Sequence, residues 1–241
     1  MLACMARTTN NATPATAEER ELQAMRDEKP KMRGWIHLCT FPLCIGASIV
    51  LICLAPAGAM KAAISIYAAT AMLLFGTSAA LHMTHGHVPV KADRILVRLD
   101  YSNIFLLIAG TITPFLFAIT NRTVRITYLL IIWIVAGVGV IAHLIWPDGL
   151  DWLFTIVYCV LGLAPVTILN LFWTSPYIGP VATILVVCGG AAYIGGAVCF
   201  AIRKPNIVPA WFGYHELFHL GTVAGYACHV IALFMVVCAM R

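Results

Sequence analysis

The chain has 241 residues, of which 61% are hydrophobic and 10% are charged, and its mean hydropathy is +0.91. A soluble domain carries about 25% charged residues, so this composition excludes a soluble enzyme and a disordered chain. The formal net charge of +5 does not indicate a nucleic-acid binder, because the sequence has no basic face to meet phosphates. Apolar runs of about 20 residues instead predict one all-α integral membrane domain.

A polar tail precedes the first apolar run. Half of the ten acidic residues lie before residue 30, and the rest are spread over the remaining chain. We therefore divide the chain into an N-terminal tail, 1–33, and a membrane domain, 34–241. The tail has no apolar stretch typical of a signal peptide. Thr16 and Glu19 have the spacing of a capping box, which predicts a short helix ended by Pro30 within a mobile cytoplasmic extension.

Seven apolar segments follow, each near the length of about 20 residues that a helix needs to cross a bilayer. Barrel strands would be about ten residues long with alternating polarity, so helices are predicted. Pro165 predicts a kink in the fifth segment. The predicted segments are Trp35–Ala55, Ala62–Leu81, Ser102–Ile119, Val124–Ile145, Trp152–Leu171, Pro180–Ile202 and Tyr214–Ala239.

The positive charges predict the orientation of these spans. With the tail inside, 11 Lys and Arg residues lie in inner segments and four lie in outer ones, so the N-terminus is predicted inside and the C-terminus outside. We expect a multi-pass protein of the plasma membrane, which in a bacterium is the inner membrane. The inner residues are Arg7, Arg20, Arg26, Lys29, Lys31, Arg33, Lys91, Arg94, Arg98, Arg203 and Lys204, and the outer ones are Lys61, Arg122, Arg125 and Arg241.

The cysteines do not suggest a cross-linked or metal-binding framework. The chain contains nine, which is an odd number, and most fall in apolar runs. In such runs cysteine packs as a small hydrophobic residue. Because no paired spacing typical of a metal site is present, we predict neither a disulfide framework nor a cysteine metal site.

Ionisable residues from three spans fall at one membrane depth. His82 ends the second span at its inner side, Asp100 stands at the inner mouth of the third, and His215 and His219 lie in the first turns of the seventh. Such groups are costly in a bilayer and mark function. His215 and His219 are four residues apart, so they face one direction at about 6 Å. Ser78 precedes His82 by four residues and shares its face.

This set predicts a metal site. Three histidines with a fourth position left for water are typical of catalytic zinc, and an all-imidazole set favours zinc over iron or manganese. Asp100 either binds that water or acts as its base. His215 and His219 also match the HExxH motif of zinc proteases. Glu216 points about 100° away from His215, so we expect it to bond a neighbour or a lipid headgroup rather than to act as the base.

The remaining histidines have other expected roles. His85 and His87 lie in a polar loop and are expected to be exposed, although either is an alternative ligand. His37 and His143 stand at the inner level, where each is a candidate for orienting a ligand or lining a cavity. His229 lies in the outer half of the seventh span, where a packing hydrogen bond is expected.

Three motifs occur in order along the membrane domain: Ser78 with His82, Leu99–Ile104 leading to Ala109–Pro114, and Phe212–His219. In these motifs the sequence resembles the hemolysin III family, a bacterial branch of the progestin and adipoQ receptors. The resemblance implies seven helices with the N-terminus inside, and zinc held by His82, His215 and His219 with Ser78 and Asp100 close by. The chain departs from the family in having no acid early in the first span, and from its receptor members in having Glu rather than Gln at position 216.

Three functions are compatible with these residues. The first is a zinc-dependent intramembrane hydrolase of a lipid amide or ester, in which Asp100 takes the proton and Ser78 steadies the oxyanion or the water. Resemblance to ceramide-cleaving receptors and alkaline ceramidases favours it by analogy. The second is a sensor or regulator of membrane state, in which three histidines and a carboxylate form a closed structural clip. The third is a cytolysin or channel, which the apolar outer halves of the spans disfavour.

Overall fold

The computed structural model describes residues 16–27, 30–146, 151–208 and 210–241. Seven spans in it are long and apolar enough to cross a membrane, which confirms the predicted all-α, seven-helix membrane fold. The described residues form nine α-helices and one 3₁₀ turn: α1 (Ala17–Asp27), α2 (Trp35–Leu54), α3 (Ala59–Thr84), α4 (Val90–Phe117), α5 (Arg122–Ile145), α6 (Asp151–Leu163), the 3₁₀ turn (Ala164–Ile168), α7 (Leu169–Thr174), α8 (Gly179–Ile202) and α9 (Tyr214–Ala239).

The observed spans differ from the predicted ones mainly at one end of the bundle, the end at which α1 lies, which we call the tail end. Here α3 continues to Thr84, and α4 begins at Val90 rather than at Ser102. The added turns of α4 carry exposed basic side chains. A helix satisfies its own backbone hydrogen bonds, so it continues past the apolar run into a polar boundary region, whereas hydropathy detects only the apolar part.

The fifth span is interrupted, as Pro165 predicts. The 3₁₀ turn contains Pro165 and separates α6 from α7. Proline lacks the N–H that an α-helix needs at its interior positions, so the helix changes its hydrogen-bonding pattern there. The eight cysteines of the described segments are all free.

Three helices form the interior of the bundle. In the most apolar stretches of α3, α4 and α9, 56%, 44% and 50% of the residues are buried, against 28% or less in the other four spans. In the packing, α3 contacts α2 and α4, while α9 contacts α8, α2 and α4. The three helices that carry the predicted site residues are therefore the three that the other spans enclose.

Close packing of α8 against α9 depends on glycine. A Cβ atom built at Gly221 would lie 2.7 Å from the backbone oxygen of Ala192 and 3.1 Å from the Cα atom of Gly196. A side chain at this position therefore forces the two backbones apart. Small residues allow this approach between membrane helices, and here they fix the position of α9 and of the histidines at its start.

The tail helix α1 packs against the membrane domain. Its predicted capping box is present, because Thr16 N donates to Glu19 Oε2 at 2.6 Å and Glu19 N donates to Thr16 Oγ1 at 3.1 Å. Arg94 pairs with Glu21 at 3.3 Å, and Arg26 donates to the carbonyl oxygen of Gly86 at 2.8 Å. Where the sequence predicts a mobile extension, residues 17–27 thus contact α4 and the loop before it. Residues 1–15, 28 and 29 lie outside the described residues.

Candidate metal centre

The structure brings His82, His215 and His219 together at the tail end of the bundle. One ring nitrogen from each lies within 4.8 Å of the corresponding atoms of the other two. The ring centroids of His215 and His219 are 4.7 Å apart, and that of His82 lies 5.0 and 4.8 Å from them. The spacing of His215 and His219 places both on one face of α9, while His82 reaches them from the last turns of α3.

These three side chains fit a metal ion. Zinc binds imidazole nitrogen at about 2.0–2.1 Å with tetrahedral geometry, which places two such nitrogens about 3.4 Å apart. Binding of a metal ion would require side-chain rotations that bring the three nitrogens to this distance. The Nδ1 atom of His219 is buried and has no hydrogen-bond partner among the described residues. An unsatisfied buried group costs about 1–3 kcal/mol, and a bound metal ion removes that cost.

Asp100 and Ser78, the two predicted catalytic residues, lie beside the histidines. Asp100 Oδ2 is 3.8 Å from His82 Nε2, which is longer than a hydrogen bond. The hydroxyl group of Ser78 is 2.8 Å from His37 Nδ1 and also close to the Asp100 carboxyl group. The carboxylate therefore stands next to the imidazole cluster as a separate group, with a serine hydroxyl at its side.

His37 joins the site from a fourth helix, α2. Its ring stacks on that of His219 with centroids 4.0 Å apart and planes 10° from parallel. Its Nδ1 atom meets Ser78 Oγ, and the side chain is only 2% exposed. The sequence places His37 at the correct depth as a candidate for orienting a ligand. The structure gives it contacts with one residue of the cluster and with one predicted catalytic residue.

Glu216 does not occupy the position of a general base. It is completely buried, and both of its carboxylate oxygens are engaged. Oε1 accepts from Arg33 Nε at 3.0 Å, and Oε2 accepts from the backbone N of Gly213 at 2.8 Å. The expectation that Glu216 bonds a neighbour is confirmed. Within the described residues its role is to cap α9 and to link that helix to the segment before α2.

The loop histidines stand apart from the cluster. His85 is half-buried and its Nδ1 lies 2.9 Å from Oδ1 of Asp93, which is 2% exposed. His87 is exposed, as expected. Neither belongs to the group of side chains that come within ligand distance of one another. Asp93 was not predicted as part of any site, and its partner lies in a loop whose conformation the sequence does not specify.

The other two histidines pack within the bundle. His143 is buried against the ring of Tyr101 at 5.1 Å and that of Phe154 at 4.8 Å. Tyr101 lines the cavity described below, so His143 supports its wall from behind. His229 Nε2 donates to the carbonyl oxygen of Val186 at 3.1 Å, which confirms the predicted packing hydrogen bond between α9 and α8.

A cavity of about 470 Å³ opens at the cluster and continues into the bundle. This volume lies within the usual range of small-molecule sites. Polar side chains are concentrated at the tail end, and aliphatic and aromatic side chains of α4, α6, α8 and α9 form most of the remaining wall. The polar residues at the tail end are Arg33, His37, Ser78, His82, His85, Asp100, His215 and His219.

Comparison with known proteins identifies the family. The model of the family described as "Haemolysin-III related" matches residues 25–230. The chain is 29% identical over 164 residues to a "Hemolysin-3 homolog" of Bacillus subtilis (strain 168), which covers 68% of this chain and 71% of that protein. It is 32% identical over 166 residues to "Hemolysin-3" of Bacillus cereus, covering 68% and 70%. This multi-pass membrane protein therefore belongs to the haemolysin III family.

Proposed function

We propose that this protein is a zinc-dependent intramembrane hydrolase that cleaves an amide or ester bond of a membrane lipid. The proposal rests on how the polar side chains are placed relative to the cavity. A three-histidine cluster and a carboxylate lie at the polar end of a cavity of about 470 Å³ whose remaining wall is mostly apolar. A polar reaction centre joined to an apolar cavity suits a substrate with a polar acyl linkage and a long chain.

His82, His215 and His219 are the residues that would hold the metal. Zinc bound by imidazoles polarises a carbonyl group and lowers the pKa of a bound water to about 7. The contribution of the protein is to keep these three rings in place. Stacking of His37 on His219 serves that purpose, as does the burial of His37, His82 and His219, while His215 is half-buried.

Asp100 and Ser78 would handle the proton and the developing charge. Asp100 accepts the proton of the attacking water as general base, a role worth about 10²–10⁴-fold in rate. With a proton on His37 Nδ1, His37 donates to Ser78 Oγ at 2.8 Å. The hydroxyl of Ser78 is then free to donate to Asp100 or to the oxyanion of the substrate.

The membrane provides the substrate. The apolar wall of the cavity excludes water and accommodates an acyl chain, so the scissile bond stays at the polar end. Given the predicted orientation, that end faces the inner leaflet of the plasma membrane, and a lipid enters sideways between helices. A membrane lipid is thus the proposed partner.

The test combines metal analysis with a lipid panel. We expect purified wild-type protein to contain about one zinc ion per chain and to release fatty acid from at least one lipid amide or ester. Asp100→Asn should keep zinc and lose about a hundredfold in rate, because it removes the base. His87→Ala, at an exposed loop histidine, is the matched control. Zinc-loaded protein that releases no fatty acid from any lipid of the panel contradicts the proposal.

A non-enzymatic metal clip is the second candidate. Asp100 stands 3.8 Å from His82 Nε2, so a small movement would make it a fourth ligand and close the site around α3, α4 and α9. The protein would then be a sensor or regulator of membrane state. In that case Asp100→Asn lowers zinc content and the unfolding temperature as much as His82→Ala does. If Asp100 is the base, only His82→Ala lowers them.

Cytolysis is a third candidate, favoured by the names of the two relatives. Pure protein in liposomes should release an enclosed dye if it forms pores. Leakage from wild-type liposomes that is absent from the Asp100→Asn variant would place this function ahead of hydrolysis. We expect no leakage, because the outer halves of the spans are almost wholly apolar.

A further inference from the structure

An arginine stands at the polar end of the cavity without a role in metal binding or in capping. Arg33 precedes α2 by two residues and lines the same cavity as His82 and Asp100. Its side chain is 20% exposed. A cation is therefore present beside the reaction centre proposed above.

The backbone around Arg33 is held on both sides. The backbone N atoms of Lys31 and Met32 donate to the carbonyl oxygens of Ala210 and Trp211 at 3.1 and 3.3 Å. On the other side, a Cβ atom at Gly34 would lie 2.6 Å from the Sδ atom of Met83. The segment is thus fixed between the chain before α9 and the end of α3, so its side chain is positioned before any ligand arrives.

The guanidinium group of Arg33 has donors that no described residue uses. Its Nε donates to Glu216, whose other oxygen is taken by the backbone of Gly213. Arginine offers five N–H donors in a planar fork. Among the described residues, none accepts a hydrogen bond from the two terminal nitrogens of Arg33. Glu216 therefore anchors the base of the fork and leaves the terminal N–H groups available, in a residue that lines the cavity.

We propose that Arg33 binds the anionic group of an amphiphile whose apolar chain occupies the cavity. The tip of a guanidinium fork matches the geometry of carboxylate and phosphate, and partial burial strengthens the interaction. The inference rests on the proposed function in one respect: hydrolysis of an acyl amide or ester adds water across the bond and leaves a carboxylate. Binding itself requires neither metal nor turnover.

The test measures binding of matched twelve-carbon amphiphiles to the full chain in detergent, with a chelator present so that no metal contributes. The probes are dodecanoate, dodecyl phosphate and dodecanol. Wild type should bind the two anions at least about tenfold more tightly than the alcohol, the effect of one charge-assisted hydrogen bond. Arg33→Gln should abolish this preference and leave dodecanol binding unchanged. Equal affinity of wild type for all three probes overturns the proposal.

Two controls separate anion binding from a structural role. Arg98→Gln changes an exposed arginine of the same end that does not line the cavity, and it should keep the preference. The double variant Arg33→Gln/Glu216→Gln replaces the ion pair by two neutral side chains that can still form a hydrogen bond. The link between α9 and the segment before α2 is therefore kept, while the positive charge of Arg33 is removed. This variant should bind dodecanol normally and show no anion preference. A double variant that regains the preference overturns the proposal, because Arg33 then acts only as a clamp.

Competition with inorganic phosphate tests whether the bound anion must carry an apolar chain. It should not displace dodecanoate at millimolar concentration, since it lacks the chain that the cavity holds. Displacement at that concentration overturns the assignment to an amphiphile. A protein that keeps its anion preference but hydrolyses no lipid leaves this inference intact and removes only the hydrolase proposal.

Discussion

Replacement of His37 by phenylalanine tests whether α2 positions the site. Phenylalanine keeps an aromatic ring for the stack on His219 at 4.0 Å and for the edge contact with Phe75 at 5.1 Å. It removes the hydrogen bond to Ser78 Oγ. The substitution thus separates the polar contact of His37 from its packing.

The magnitude follows from the burial of Ser78, which is 2% exposed. Leaving a buried hydroxyl unpaired costs about 1–3 kcal/mol, and the nearby Asp100 carboxyl group offsets part of this, so we expect about 1 kcal/mol. For a chain of this length that lowers the unfolding temperature by about 2–4 °C. Loss of a group that orients metal ligands lowers metal affinity or activity by about 10–100-fold. We expect about tenfold, because the stacking remains.

The assay is a double-mutant cycle of His37→Phe and Ser78→Ala, read from unfolding temperature in chelator. Working without metal isolates the hydrogen bond from metal binding. Because either single substitution removes the same bond, the double variant should be about 1 kcal/mol more stable than the sum of the singles predicts. Zinc affinity and rate are then measured on the loaded proteins.

His143→Phe provides the matched control, because His143 is also buried and its ring packs against those of Tyr101 and Phe154. The effects of His143→Phe and Ser78→Ala on the unfolding temperature should therefore add. Additive effects of His37→Phe and Ser78→Ala, together with unchanged zinc affinity, would refute the positioning role of His37.

The remaining predictions concern the metal, the ion pair and the helix contact. His215→Ala should lose most bound zinc in elemental analysis, whereas Asp100→Asn should keep it; zinc loss in both makes Asp100 a ligand. Glu216→Ala removes the cap of α9 and the buried partner of Arg33. The unfolding temperature of this variant should fall by several degrees without loss of zinc, and an unfolding temperature equal to that of wild type contradicts this. Gly221→Ala should destabilise the protein because its Cβ would meet an α8 backbone oxygen at 2.7 Å, whereas Gly190→Ala, with nothing within 4 Å, should not.

Local features of the sequence sufficed for the fold and for the histidines. Each span is recognisable in the sequence as a run of apolar residues, and it must be a helix because every backbone group in lipid has to be hydrogen-bonded within its own segment. The spacing of His215 and His219 is a property of a single helix. Counting spans then gives each one a direction, which assigns His82 and Asp100 to the depth of His215. The three-histidine grouping follows from these steps alone.

Contacts between helices required the tertiary structure. Arg33 and Glu216 are 183 positions apart, and His37 and Ser78 are 41 apart. Neither pair has a sequence signal, since each depends on how two helices are rotated against each other. In a soluble protein, an apolar stripe reveals that rotation. Membrane helices are apolar toward lipid and toward the interior alike, so their sequence determines that they cross the bilayer, while packing decides which faces meet and where the cavity forms.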